Sequence, residues 1–117
     1  MTSNLTKSEI KTLCIENGIK NIEFFNFCSI NKSVNIYWSN PDKMCLDMNW
    51  VFVLNDNENR TLKCLVIPPN SINESQLKTR SDKPQKLDIQ IDSDSVNLRD
   101  TRSGIYFGRW LVKTINY

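Results

Sequence analysis

Asp88, Asp92 and Asp94 are the residues of this 117-residue chain whose type and spacing come nearest to catalytic chemistry. Closely set carboxylates can hold Mg²⁺, and with a nearby lysine such as Lys86 or Lys63 they could support metal-dependent cleavage of a phosphodiester. On an extended strand Asp88 and Asp92 share a face but stand about 13 Å apart, too far for one ion. Asp92 and Asp94 are closer and could share Mg²⁺. The plainer reading of the three is the solvated face of a strand. Other catalytic signatures are missing. The chain has no His, which removes the commonest general base and every Ser–His or Cys–His pair. It has no glycine-rich phosphate loop and no G-x-S-x-G elbow. Cys14, Cys28, Cys45 and Cys64 fit no C-x-x-C or zinc-finger spacing, so they are expected to be reduced thiols in or near the core. No catalytic residue, metal ligand or cofactor is therefore assigned, and the chain reads as a non-enzyme.

Charge is more informative than these carboxylates. The net charge is +2, but residues 1–75 carry seven basic and eight acidic side chains, whereas residues 76–117 carry eight basic and five acidic. The C-terminal cations form two groups: Lys78, Arg80, Lys83 and Lys86, then Arg99, Arg102, Arg109 and Lys113. Lys and Arg bind phosphates, and Arg can read guanine edges. Arg102-Ser103-Gly104 resembles a compact phosphate-approaching tip, and Tyr106, Phe107 and Trp110 could stack on unpaired bases. Against this, loop cations are usually just solvated and strand aromatics are usually core. The pI of about 8.4 also falls short of the value above ~9 that marks a strong nucleic-acid footprint. If the reading is right, Arg80, Arg99, Arg102 and Arg109 converge on one face.

These residues need elements to position them. Thr6-Lys7-Ser8-Glu9 is a capping box, Leu5 and Ile10 form its hydrophobic staple, and Asn17-Gly18 supplies a left-handed stop, which predicts a helix over 7–17. Strand-like runs follow at 21–27 and 33–38, with Asn40-Pro41-Asp42 as a turn. Residues 48–54 and 60–67 flank the polar loop 55–59 and predict a hairpin. Ser71 to Glu74 suggests one capped helical turn, and 78–84 an exposed loop. Leu87, Ile89 and Ile91 alternate with Asp88, Gln90 and Asp92, which predicts a strand with the aspartates facing out. Residues 93–104 read as a polar loop and 105–115 as a last strand with a bulge at Gly108. The expected fold is one α+β domain over 1–117: a mostly antiparallel sheet or partial barrel with the N-terminal helix packed on it.

Composition bounds the rest. A chain of this length with 39% hydrophobic residues can bury a core without disulfides or metal. No secretory signal or membrane-length apolar stretch is present, which suggests a cytoplasmic protein without a membrane partner. Four N-x-S/T triplets begin at Asn4, Asn31, Asn59 and Asn73, and are expected by chance in so Asn-rich a chain. The absence of Ala and the abundance of Asn, Ile and Lys suggest an AT-rich genome, bacterial or phage. The leading expectation is a small nucleic-acid-binding module, DNA ahead of RNA, working through the two basic segments. The alternatives are a protein-interaction module, such as a phage- or plasmid-encoded inhibitor or an accessory subunit, and a small metal-dependent nuclease.

Overall fold

Trp50-Val51-Phe52-Val53-Leu54 is apolar on both faces, as a strand covered on both sides must be. In the computed structural model, which describes residues 5–117, this run is the third of six strands. The elements are α1 (Lys7–Glu16), β1 (Phe24–Asn31), β2 (Ile36–Ser39), β3 (Trp50–Asp56), β4 (Thr61–Ile67), β5 (Ile89–Asp92) and β6 (Leu111–Asn116). They form one sheet in the order β5-β2-β1-β3-β4-β6. Every pairing is antiparallel except β1 with β3, where Phe24 sits opposite Trp50 and Ser29 opposite Asn55. A parallel pair needs a crossover, here residues 32–49, which hold β2 and a short 3-10 helix, Lys43–Asp47, capped by the Asp42 carboxylate.

The α+β class holds, with a helix on a sheet, but the expected barrel does not form. The sheet is open, and β5 and β6 lie at its two edges. The outer edge of β5 is taken by the chain at 99–101, which donates from the Thr101 amide to the Gln90 carbonyl and accepts at the Arg99 carbonyl from the Asp92 amide. With that edge filled, β6 has nothing to close against.

Two apolar layers sandwich the sheet. Ile10 and Cys14 of α1, with Ile19, pack on Phe25, Val51, Val53, Leu62, Cys64 and Ile115. On the opposite face Trp50, Phe52 and Leu54 are covered by residues of loops and short 3-10 helices, among them Leu46, Ile72, Leu77, Leu98 and Phe107. Phe107 meets Trp50 and Phe52 edge-on, with ring centroids 6.3 and 6.2 Å apart, the geometry that aromatic quadrupoles favour.

Several local expectations change. Helix α1 closes with Gly18 at φ 89°, while Asn17 stays at φ −96°, so glycine alone takes the left-handed position. Ile19 N–H to the Cys14 carbonyl and Gly18 N–H to the Ile15 carbonyl complete a Schellman cap. The turn near residue 72 is a 3-10 helix, Glu74–Gln76, capped by Asn73 instead of Ser71, which donates to the Pro68 carbonyl. The predicted strand at 105–115 splits into a 3-10 helix, Phe107–Trp110, and β6. Gly108 is no bulge. It lies so close to residue 97 that a Cβ would come within 2.7 Å of the Asn97 carbonyl oxygen. The register instead shifts at Val112, since Cys64 opposes Lys113 and Leu65 opposes Leu111.

All four cysteines are free thiols and buried. Burial pushes the Cys45 thiol up to about 12 and raises that of Cys28 further. The Cys14 and Cys64 sulfurs lie 3.7 Å apart between α1 and β4. Asn31, Asn59 and Asn73 of the N-x-S/T triplets each bond to a neighbouring residue in a turn, while the triplet at Asn4 begins outside the described residues. Among the described residues no helix is long and apolar enough to cross a membrane.

The start of α1 provides a direct check on this architecture. Thr6 Oγ1 accepts from the Glu9 amide at 3.2 Å and Glu9 Oε1 accepts from the Thr6 amide at 2.9 Å. Thr6→Ala should therefore lower the unfolding free energy by about 1 kcal/mol, read as a shifted midpoint in urea denaturation. An unchanged midpoint would mean that the helix does not start there.

Candidate nucleic-acid interface at the β5 edge

Six of the eight basic candidates gather around β5. The Lys78 carbonyl accepts from the Asp88 amide, the Arg80 amide donates to the Lys86 carbonyl, and the Lys86 amide donates to the Lys83 carbonyl. Residues 78–80 and 86–88 thus form a narrow hairpin that leads into β5. From the other side, Arg99 is bound to β5 through its carbonyl, and Arg102 Nε lies 3.2 Å from Asp88 Oδ2.

The expected convergence is incomplete. Lys113 lies within β6, four strands from β5 in the sheet order. Arg109 lies in the 3-10 helix before β6 and stays close to the 97–99 segment, since the Gly108 amide donates to the Asn97 carbonyl and Tyr106 pairs with Arg99. Arg109 is also engaged there: its guanidinium lies over the Trp110 ring at 5.3 Å and its Nε donates to the Tyr106 carbonyl. Phe107 is fully buried and unavailable for stacking, Trp110 is half-buried, and Tyr106 remains exposed.

Two of the gathered arginines already have carboxylate partners. Arg80 bonds Asp82 in a bidentate pair at 3.0 and 2.7 Å, and this guanidinium holds the Asp82 carboxyl below the usual carboxylate range. Arg102 is paired with Asp88. The side chains of Lys78, Lys83, Lys86 and Arg99 make no ion pair among the described residues. The Arg99 guanidinium lies beside Gly104, 3.5 Å from where a side chain would begin.

The polar loop expected at 93–104 is a folded hairpin, and its organiser is Asp100, a residue the sequence did not single out. Asp100 is fully buried. Its Oδ1 accepts from the Gln90 amide at 2.9 Å and the Arg102 amide at 3.3 Å, and its Oδ2 accepts from Ser103 Oγ at 2.6 Å. The carboxylate thereby satisfies an edge amide of β5 and fixes the Arg102-Ser103-Gly104 tip. Ser103 is committed to this network and is not free for a phosphate. A short loop with Asp three residues before a Ser-Gly tip was the available signal, but it could not show that the strand edge supplies the third donor.

The three aspartates do not converge. Asp88 faces Arg102 and accepts from Gln90 Nε2 at 3.4 Å, whereas Asp92 turns back to accept from the Asp94 amide. Among the described residues no three His, Cys, Asp or Glu side chains are placed to hold a metal ion. A groove of about 510 Å³ between Asp42–Asp47 and Asn70–Glu74 is lined by none of the basic candidates.

The second residue that sequence reading missed is Trp38. The run 33–38 alternates, but the structure buries Tyr37 and leaves Trp38 half exposed at 50%. Trp38 pairs with Gln90 across β2 and β5. The Gln90–Asp88 side-chain contact puts Asp88 and its partner Arg102 on that same face. Helix α1 packs over β1, β3, β4 and β6, so this end of the sheet has no helical cover.

No protein-family model, no curated protein and no solved structure matches the chain.

Asp100 gives a test of how the edge is built. Asp100→Ala strands the buried Gln90 amide and should destabilise the fold by about 1–3 kcal/mol. Asp100→Asn, which keeps an acceptor at the same place, should cost clearly less. Equal losses in thermal unfolding would show that the carboxylate does not cap β5.

Proposed function

We propose that the chain binds nucleic acid, DNA in the first instance, along the β5 edge of its sheet, and that it acts by binding without catalysis. The observation that carries this reading is the gathering of Lys78, Arg80, Lys83, Lys86, Arg99 and Arg102 around one short strand, from the segments that precede and follow it. Four of these side chains have no competing carboxylate within ion-pair distance and are the first phosphate contacts. Arg80 and Arg102 can join only by exchanging Asp82 or Asp88 for a phosphate; the Arg80–Asp82 pair is exposed, and such pairs are weakly held. Asp88 and Asp92 repel phosphate, so the ligand backbone runs beside β5 and not across it.

A second reading draws on the opposite edge. Among the described residues the outer side of β6 pairs with no strand, and Leu111 and Val112 are exposed there beside Arg109 and Lys113. A partner protein could add an extended segment to this edge, as an inhibitor or accessory subunit would. The metal-dependent nuclease reading has no comparable support, because its aspartates are turned to other partners.

Salt-titrated binding to DNA and RNA, single-stranded and duplex, separates these readings. Each phosphate-contacting cation removed should flatten the slope of log affinity against log salt by about 1. Lys78→Ala, Lys86→Ala and Arg99→Ala should each do so, whereas Lys113→Ala, on the far edge, should leave the slope unchanged. Wild-type protein with no salt-dependent affinity for any nucleic acid at low ionic strength would refute the proposal and bring the β6 edge forward.

A further inference from the structure

The cations of the β5 edge explain attraction to any phosphate backbone but not a preference for one form of nucleic acid. Trp38 does. Resting on the nucleic-acid reading above, we infer that Trp38 is a stacking platform for an unpaired base, so that the site takes single strands in preference to duplex.

Three observations converge on this residue. Its indole stands on the face of an inner strand, yet it is half exposed, while Tyr37 and Ser39 on either side are buried. Large aromatic side chains on an inner strand normally meet a covering layer, and here the covering helix stops short of β2 and β5. The residues directly across from Trp38 are polar, and Ile36 precedes it on the same face of β2. Gln90 sits opposite it on β5, and the register of β1 with β2 sets the exposed Ser29 beside it on the other flank. An indole flanked by an amide and a hydroxyl offers a π-face for a base and hydrogen-bonding groups for its edge. The phosphate-binding groups are adjacent, because Gln90 is bonded to the loop that carries Arg99 and Arg102. A backbone running along the outside of β5 can therefore turn one base inward over Gln90 onto Trp38.

Charge and shape both argue against other occupants. Duplex bases are stacked on each other and present no free face, so a duplex can reach the cations but not the indole. An acidic peptide could satisfy the cations, but it has no planar group to match an indole flanked by polar side chains.

The other two tryptophans make the test clean. Trp50 is fully buried, and Trp110 is half-buried against Phe107 with the Arg109 guanidinium over its ring. Titration with single-stranded oligothymidylate should quench the emission of the exposed indole in a saturable way, and Trp38→Phe should remove the quenching while keeping most of the affinity. Trp38→Ala should weaken single-strand binding roughly 5- to 150-fold, the weight of one base–aromatic stack, with the salt slope unchanged and duplex binding unaffected. Unchanged single-strand affinity in Trp38→Ala, or an equal loss for single strand and duplex, would overturn the inference while leaving the cationic site in place. Absence of any salt-dependent binding by the wild type would instead remove the underlying reading, and this inference with it. A melting temperature for Trp38→Ala close to the wild-type value separates lost stacking from lost fold.

Discussion

The face of β3 that carries Trp50, Phe52 and Leu54 has to be covered, and no α-helix among the described residues covers it. Helix α1 is the only α-helix among the described residues, and it lies on the opposite face. The covering layer is therefore built from loops and short 3-10 helices, through Leu46, Ile72, Leu77, Leu98 and Phe107. Each such anchor contributes about 1.5–3 kcal/mol through burial of its side chain. Phe107 matters most for the layout, because its ring closes against both Trp50 and Phe52 and makes the chain cross from the β5 edge to the β6 edge. That crossing carries the chain from Arg99 and Arg102, past Arg109 in the 3-10 helix, to Lys113 on the far edge.

Cover on the other face is limited by length. The ten residues of α1 make a rod about 15 Å long and roughly 10 Å wide, set against a sheet whose six strands span about 24 Å. The helix shields the β1–β3–β4–β6 side, where Cys14 and Cys64 touch, and leaves β2 and β5 open. Exposure of Trp38 follows from this shortfall. So does the need for another way to protect β5, which is supplied by the hairpin around Asp100 instead of by a further strand.

What could be read from the sequence was what depends on near neighbours. The capping box at Thr6, the β3–β4 hairpin and the alternation of Leu87, Ile89 and Ile91 are each set by residues a few positions apart, and each is present. Features decided by distant partners were not legible. The phase of β2 depends on which face is covered, and the alternation of Val34, Ile36 and Trp38 is equally regular in either phase, so the burial of Tyr37 could not be foreseen. The parallel pairing of β1 with β3 rests on a crossover whose 3-10 helix carries little periodicity. Ile105 to Ile115 is rich in apolar and aromatic residues, and only the contact of Gly108 with residue 97 shows why it bends instead of extending. The eight cations were visible as a composition bias, but the placement of Lys113 on the far edge depends on where Phe107 finds its pocket.

The central claim is spatial: ligand contacts belong to the β5 edge and the open face beside it. Amide chemical-shift mapping of ¹⁵N-labelled protein during titration with a short single-stranded DNA tests this directly. The account predicts perturbations concentrated in residues 36–40, 78–90 and 99–104, together with the Trp38 indole N–H, and little change over 109–116. Perturbations centred on β6, or spread evenly over the molecule, would contradict it.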